Sequence, residues 1–261
     1  MSPQFVDWNA DGRLDVLAGT FDGSAHVSIA TENGWPVPTH ILDQKGQRLV
    51  LNQFWNHDTK KWDETSRSDQ GKNTTPGHCT SAWAWDHDGD GDLDLLLGDY
   101  DGGRLYLRVN EGKPGEPQIA TTNVPVMAGD QPLNVGKMST PRLVDWDRDG
   151  LMDLVCGSMG ETYTQGLGGG VFLFRNTGTK TAPSFAIAQT LIAPSKKDAA
   201  APQRPDSGLY MDVADIDGDG DLDMVVGGYS HWREGQAEPQ RQSYVWLYEN
   251  RTAAAGAGGV R

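Results

Sequence analysis

A nine-residue acidic pattern occurs four times in the chain, at residues 7–15, 86–94, 145–153 and 215–223. It has Asp or Asn at positions one, three, five and nine, glycine at position six and an apolar residue at position eight. Three apolar residues and a glycine follow every copy. Because self-similarity of this kind is the mark of a structural repeat, the chain is predicted to be built from four similar units.

Each unit contains segments that predict β-strands on both sides of the acidic loop. A short apolar segment precedes the loop, and a continuous apolar strand follows it. A third strand with alternating or aromatic residues is predicted at 26–29, 104–108, 171–175 and 244–248, and a weaker outer strand at 40–42, 118–120 and 185–187. This repeat predicts an all-β fold, a β-propeller of four-stranded antiparallel blades. A β-sandwich does not explain a loop that recurs at the same place in every unit.

The repeats define one predicted propeller domain, residues 1–250, followed by an Ala/Gly-rich segment at 251–261 that is expected to be a disordered tail. The fourth repeat shows three strands and no outer strand. Two architectures therefore remain open: a four-bladed, imperfectly closed ring, or part of a larger propeller. The predicted repeats span about 2–76, 77–136, 137–206 and 207–250.

The acidic loops have the chemistry of a calcium site. A loop that winds around a cation points every second side chain inward, so positions one, three, five and nine offer side-chain oxygens and position seven its backbone carbonyl. Mg²⁺ gives up its water shell less readily, and Zn²⁺ favours His or Cys, of which the loops contain only His87. Up to four Ca²⁺ ions are predicted, with these ligands: Asp7, Asn9, Asp11, Arg13, Asp15, Asp86, Asp88, Asp90, Asp92, Asp94, Asp145, Asp147, Asp149, Leu151, Asp153, Asp215, Asp217, Asp219, Asp221 and Asp223.

An EF-hand and a simple Asp-Gly turn both fit the acidic loops less well. An EF-hand needs Glu at position twelve and a following helix, whereas position twelve here is Ala18, Leu97, Cys156 or Val226 and a strand follows. Simple turns would not share six positions in four copies. Asn9 replaces one carboxylate, so the first site is expected to be the weakest of the four.

Charge and hydropathy exclude some classes of partner. The formal net charge of −14 argues against nucleic acid, which favours a basic surface. Four divalent cations would reduce that charge to −6. No run approaches 18 apolar residues, so membrane insertion is not expected. The two cysteines, Cys79 and Cys156, are predicted to be buried thiols rather than a disulfide.

The pattern Asp-x-Asp-x-Asp-Gly-x-x-Asp, with its aliphatic strand and glycine, resembles the FG-GAP repeat of integrin α-subunit propellers and the related bacterial VCBS-type repeats. The resemblance covers about residues 2–250. It implies a calcium-stabilised β-propeller used in adhesion or recognition, and a secreted, periplasmic or cell-surface location. The N-terminal residues enter the first repeat directly, without the charged and apolar segments of a signal peptide.

A non-catalytic binding module is favoured over an enzyme. The chain has no nucleophile elbow, phosphate loop or His-Glu-x-x-His motif, and its six histidines are scattered. The alternative is a calcium-dependent carbohydrate-active enzyme, a polysaccharide lyase or hydrolase, built on a propeller.

The partner is expected to bind the face opposite the acidic loops, where the insertions at 31–76, 158–169 and 228–243 are predicted to converge. These insertions include Trp35 and Trp62, and exposed aromatic side chains on loops suit a glycan or an extracellular or cell-surface protein. Alternatively, the aromatic side chains pack the loops onto their own blades. The residues predicted to bind the partner are Trp55, Tyr163, Tyr229, His231, Trp232 and Arg233.

Overall fold

A computed structural model describes residues 3–51, 53–56, 58–64, 78–160, 167–195, 204–230 and 242–250. These residues form nineteen β-strands and contain no helix, so no helix among them is long and apolar enough to cross a membrane. The predicted tail at 251–261 lies outside the described residues.

Four antiparallel sheets are arranged as a four-bladed β-propeller, as the sequence predicts. Blade 1 comprises β1 (Gln4–Val6), β2 (Asp15–Gly19), β3 (Ala25–Ser28) and β4 (Thr39–His40). Blade 2 comprises β7 (Cys79–Trp85), β8 (Asp94–Asp99), β9 (Leu105–Arg108) and β10 (Val124–Pro125). Blade 3 comprises β13 (Thr140–Val144), β14 (Asp153–Gly157), β15 (Val171–Phe174) and β16 (Gln189–Ile192). Blade 4 comprises β17 (Ser207–Ala214), β18 (Asp223–Ser230) and β19 (Gln242–Tyr248).

Two small hairpins lie in the connections between blades. One hairpin, β5 (Gln53–Asn56) with β6 (Lys61–Glu64), joins blade 1 to blade 2. The other, β11 (Met127–Ala128) with β12 (Gln131–Pro132), joins blade 2 to blade 3. Both hairpins form sheets of their own, separate from the four blades.

The second strands of blades 2 and 3 are buried on both faces, which explains their continuous apolar sequences, whereas β2 and β18 are partly exposed. In β8, Leu95 and Leu97 belong to the core between blades 1 and 2, whereas Leu96 belongs to the core between blades 2 and 3. Likewise, Leu154 of β14 packs towards blade 2 and Val155 towards blade 4. Successive side chains of a strand point to opposite faces, so one aliphatic strand contributes to two interblade cores.

A glycine within the second strand lets neighbouring blades approach closely in blades 2 and 3. A Cβ atom on Gly98 would lie 2.3 Å from the Ser139 carbonyl oxygen of blade 3. One on Gly157 would lie 2.2 Å from the Leu209 carbonyl oxygen of blade 4. Such distances exclude any side chain, which explains the glycine that ends the repeated pattern. The equivalent Gly227 has room, since its nearest atom is 3.8 Å away in its own blade.

Two of the three predicted outer strands are wrong. The predicted strand at 40–42 overlaps β4, but the outer strands of blades 2 and 3 are β10 and β16 rather than 118–120 and 185–187. Ile119 instead forms bridges to Asn110 and, in the connection after blade 1, to Asp43. Phe185 forms the equivalent bridges to Asn176 and Ala128. Both apolar side chains are buried in interblade cores, which is why these segments have a strand-like sequence.

Blade 4 has three strands among the described residues, as its sequence predicts. Its last strand, β19, leaves Val245 and Leu247 exposed to solvent.

The two cysteines are buried and free, as predicted, and burial raises the pKa of each thiol to about 12.

Candidate metal sites

The acidic loop connects the first and second strands at the same end of every blade. In blade 1, Val6 pairs with Asp15 across the loop, and in blade 2, Trp85 pairs with Asp94. Blades 3 and 4 have the equivalent pairs. This shared register places the four loops on one face of the propeller, and the turns between second and third strands on the other.

Side chains within each loop hold its backbone in place. The position-five carboxylate accepts a hydrogen bond from the backbone N–H of position seven in all four loops, for example Asp149 from Leu151 at 2.8 Å. The position-one carboxylate accepts one from the position-six glycine in three loops, for example Asp145 from Gly150 at 3.0 Å. These bonds direct the carboxylates towards the inside of the loop.

Two residues of each loop have a left-handed backbone. The position-six glycine was predicted to be left-handed, and Gly12, for example, has φ of 87°. Position four is left-handed as well, and it includes two residues with side chains, Ala10 at 56° and Arg148 at 61°. The left-handed position four was not predicted from the sequence, although glycine at 89 and 218 was a signal for it.

Carboxylates converge within ion-binding distance in three of the four loops. In each, one oxygen from three different aspartates lies within 4.8 Å of the others. The second and third loops use positions one, three and five, whereas the fourth uses positions one, three and nine. Such triads could hold a metal ion, and their all-oxygen donors match the preference of a hard cation. The triads are Asp86, Asp88 and Asp90; Asp145, Asp147 and Asp149; and Asp215, Asp217 and Asp223.

Several loop carboxylates are buried without a hydrogen-bond donor. Both side-chain oxygens of Asp92, and one each of Asp145 and Asp221, have no hydrogen-bond partner among the described residues. Burial, followed by repulsion from Asp90 and the other loop carboxylates, raises the pKa of Asp92 to about 6. Buried anionic oxygens without donors are costly, so a bound cation fits these loops.

The position-nine aspartate has a structural role that was not predicted from the sequence. Asp15 accepts hydrogen bonds from the Trp8 amide at 3.0 Å and the Ala30 amide at 2.7 Å, which ties the loop to the end of the third strand. Asp94, Asp153 and Asp223 accept the same two bonds in their blades. All four aspartates are buried, so the loop residue most hidden from solvent also supports the blade.

The first loop has a basic side chain at position seven, next to the position-five carboxylate. The Arg13 guanidinium contacts the Asp11 carboxylate at 2.8 Å, and the Asn9 side-chain amide donates to the same oxygen at 3.2 Å. A hydrogen bond from the Arg13 backbone N–H, together with these contacts, lowers the pKa of Asp11. Arg13 competes with a cation for Asp11, as Arg175 does for Asp147 and Asp153 in the third loop. The first site is still expected to be the weakest, because Asn9 removes one carboxylate.

The residues predicted to bind a partner fall in different places. Trp55 lies in β5, on the face opposite the acidic loops, and Tyr229 lies in β18 of blade 4, beside Gly208. Trp35 does not lie on that face, because its indole N–H donates to the Leu14 carbonyl oxygen of the first loop at 2.9 Å. The other four predicted partner residues lie outside the described residues: Tyr163, His231, Trp232 and Arg233.

The fold and the loops together define a class: β-propellers whose blades carry an aspartate-rich loop suited to a metal ion. The family model for FG-GAP-like repeats matches residues 86–156 and 145–226, which together cover more than half of the 261-residue chain. The chain therefore belongs to the FG-GAP-like repeat family, as its loop pattern indicates. A comparison with curated proteins gave no match.

Proposed function

We propose that this chain is a calcium-binding, non-catalytic binding module. Ca²⁺ in the acidic loops stabilises the blades, and the opposite face binds a glycan of the cell surface or extracellular space. Propellers of the FG-GAP type are typically non-catalytic binding modules, which supports this function. The observation that carries the glycan proposal is a set of aromatic side chains on that opposite face.

Calcium is the ion that best fits the donors of the loops. Each triad offers carboxylate oxygens only, and the loops add further oxygens from positions seven and nine. Ca²⁺ accepts six to eight oxygen ligands in a flexible geometry, whereas Mg²⁺ requires a near-octahedral site and usually keeps several waters. Bound Ca²⁺ would neutralise the buried carboxylates and so add its binding free energy to the stability of the fold.

Five rings form a continuous surface at the ends of blades 1 and 2, which we call the aromatic surface. His78 stacks on Tyr100, with ring centroids 4.7 Å apart, and contacts Trp62 at 5.0 Å. Trp62 in turn contacts Trp55 at 5.8 Å, and Phe21 contacts both His78 and Tyr100. The members of the aromatic surface are Phe21, Trp55, Trp62, His78 and Tyr100.

Two rings of the aromatic surface are open to solvent, whereas His78 is buried. Phe21 is 53% exposed and Trp62 is 43% exposed, which is unusual for large rings that contact one another. Charged groups lie beside the rings: the Lys137 ammonium is 5.4 Å from the Tyr100 centroid, and the Asp101 carboxylate is 3.1 Å from His78 Nδ1. Flat apolar rings next to charged groups suit a sugar, which has an apolar C–H face and a rim of hydroxyls.

The test uses two tryptophans on opposite faces. The calcium-saturated protein is screened against a panel of glycans, and the affinity for each glycan bound is then measured for Trp62→Ala and Trp35→Ala. Trp35 is a matched control, since it is 54% exposed but lies beside the acidic loops. We expect Trp62→Ala to weaken binding at least tenfold, as loss of about 1.4 kcal/mol would do, and Trp35→Ala to leave it unchanged.

Several outcomes would contradict the proposal. If no glycan binds, or if both variants weaken binding equally, the aromatic surface is not a glycan site. If an extracellular protein binds through Trp62 and no glycan does, the partner is a protein. If the bound glycan is cleaved into shorter chains, the chain is the carbohydrate-active enzyme named as the alternative.

A further inference from the structure

A cluster of one carboxylate and two imidazoles lies in blade 1, away from the acidic loops. Asp22 is in the turn between β2 and β3, and His26 and His40 are paired across β3 and β4. One ligand atom from each of the three residues lies within 4.8 Å of the others. The turn is at the end of the blade opposite the acidic loops, so this cluster is separate from the calcium sites proposed above.

Hydrogen bonds fix the orientation of the Asp22 carboxylate. Its Oδ1 accepts from the Ser24 backbone N–H at 3.1 Å, from the Ser24 hydroxyl at 2.7 Å and from the Thr20 hydroxyl. Its Oδ2 faces the two imidazoles, 3.5 Å from His26 Nε2 and 3.2 Å from His40 Nε2. Burial raises the pKa of Asp22, but the Thr20 and Ser24 hydrogen bonds outweigh it and lower the pKa to about 2, so the carboxylate is ionised.

One tautomer of His26 leaves a lone pair on the nitrogen that faces Asp22. His26 Nδ1 lies 3.3 Å from the Ser24 carbonyl oxygen and 3.2 Å from the Thr20 hydroxyl oxygen. With the proton on Nδ1, the Ser24 carbonyl accepts a hydrogen bond from the ring. Burial lowers the pKa of His26, which favours the neutral ring, although Asp22 acts in the opposite direction. In that form Nε2 has a lone pair directed at an ionised oxygen. A hydrogen bond from Nδ1 to a carbonyl is also the usual support of a metal-binding histidine.

We propose that Asp22 Oδ2, His26 Nε2 and His40 Nε2 bind a divalent transition-metal ion of the Zn²⁺ class. Ligands about 2.0–2.2 Å from a tetrahedral zinc ion lie about 3.3 Å from one another. The two measured separations from Asp22 Oδ2, 3.2 and 3.5 Å, lie on either side of that value. Two imidazoles and one carboxylate are a donor set that zinc accepts, with a fourth position open to water.

The Arg48 guanidinium is the competing cation at this site. Its Nη1 lies 3.3 Å from His40 Nε2 and 4.0 Å from Asp22 Oδ2. The side chain is 27% exposed and lies over the Phe54 ring, so a bound zinc ion would have to displace Arg48 Nη1 from His40 Nε2. A bound ion would link the turn to both β3 and β4. It would therefore stabilise the position of β4, an outer strand of only two residues.

The test measures zinc binding to the full chain in saturating Ca²⁺, which keeps zinc from the acidic loops. Titration calorimetry with Zn²⁺ gives the stoichiometry and affinity, and Co²⁺ absorption reports the geometry of the site. We expect one Zn²⁺ per chain in addition to bound calcium. Asp22→Asn and His40→Gln should each weaken zinc binding at least tenfold, and Arg48→Gln should strengthen it, because the competing charge is removed.

His87→Gln is the matched control, because it removes a half-buried imidazole from an acidic loop in blade 2. It should leave zinc binding unchanged. The proposal is overturned if the wild-type chain binds no zinc, if zinc affinity is the same in Asp22→Asn and His40→Gln as in wild type, or if His87→Gln abolishes binding. Calcium content and circular dichroism verify that each variant is folded. If His40→Gln does not fold, the other two variants still test the zinc site, because zinc affinity should fall in Asp22→Asn and rise in Arg48→Gln.

Discussion

The position-nine aspartate offers the sharpest test of the structure, because it separates a structural role from a metal-binding role. Asp15 is 0% exposed, and its two oxygens accept hydrogen bonds from two buried backbone amides, those of Trp8 and Ala30. Asp15→Ala leaves both N–H groups without an acceptor. Each buried unsatisfied group costs about 1–3 kcal/mol, so the predicted loss of stability is about 2–6 kcal/mol.

The matched control is Asp11→Ala in the same loop. Asp11 is an exposed position-five residue that holds the Arg13 backbone N–H and guanidinium. Exposed ion pairs contribute little to stability, so in the absence of calcium this substitution should cost much less stability than Asp15→Ala. Asp15→Asn keeps one acceptor oxygen and should fall between Asp15→Ala and wild type.

The stabilities of Asp15→Ala and Asp11→Ala are compared in the presence of a chelator, where neither residue contributes as a metal ligand. The comparison is then repeated in saturating Ca²⁺. Urea unfolding gives the relative stabilities, and hydrogen exchange at the Trp8 and Ala30 amides gives a local measure. Asp15→Ala should speed exchange at these two amides under both conditions. If Asp15→Ala and Asp11→Ala are equally stable in chelator and the two amides stay protected, the structural role assigned to position nine is wrong.

Three further predictions concern metal and pH. Removal of calcium by a chelator should lower the melting temperature markedly, because the clustered carboxylates then repel one another. Asp149→Ala should remove one bound Ca²⁺ per chain, as counted by elemental analysis. An unchanged calcium count would refute the assignment of Asp149 as a ligand. Burial raises the pKa of Asp99 from 3.8 to about 6, despite hydrogen bonds from the Asp101 and Gly102 amides. This carboxyl therefore contributes stability that is fully present below pH 3.8 and is lost as pH rises through about 6. In urea unfolding at saturating Ca²⁺, the stability difference between wild type and Asp99→Asn should change by up to roughly 3 kcal/mol between about pH 4 and 7, whereas a constant difference would contradict the shift.

The local sequence pattern was sufficient to predict the first three strands of each blade. The acidic loop and the aliphatic strand after it are specified by neighbouring residues: alternate side chains, a left-handed glycine and a doubly buried strand such as β8. These requirements depend on backbone geometry over a few residues, so they can be seen in the sequence. The convergence of carboxylates at positions one, three and five in the second and third loops follows from the same local geometry.

The sequence does not distinguish a strand from another buried apolar segment. Residues 118–120 and 185–187 were predicted as outer strands because they are apolar, yet Ile119 and Phe185 are buried between blades. Burial against a distant segment produces the same apolar pattern as a strand. The side of the propeller on which Trp35 lies was likewise decided by a contact between residues 21 positions apart.

The sequence by itself therefore determined the repeat, the strand order within each blade and the oxygen-rich chemistry of the loops. Only the tertiary structure decided what each buried polar group contacts. The register of β3 and β4 places His26 opposite His40, and the turn before them brings Asp22 to both rings. Such contacts depend on strand pairing and blade packing between residues that are distant in sequence, so they cannot be predicted from a local pattern of residues.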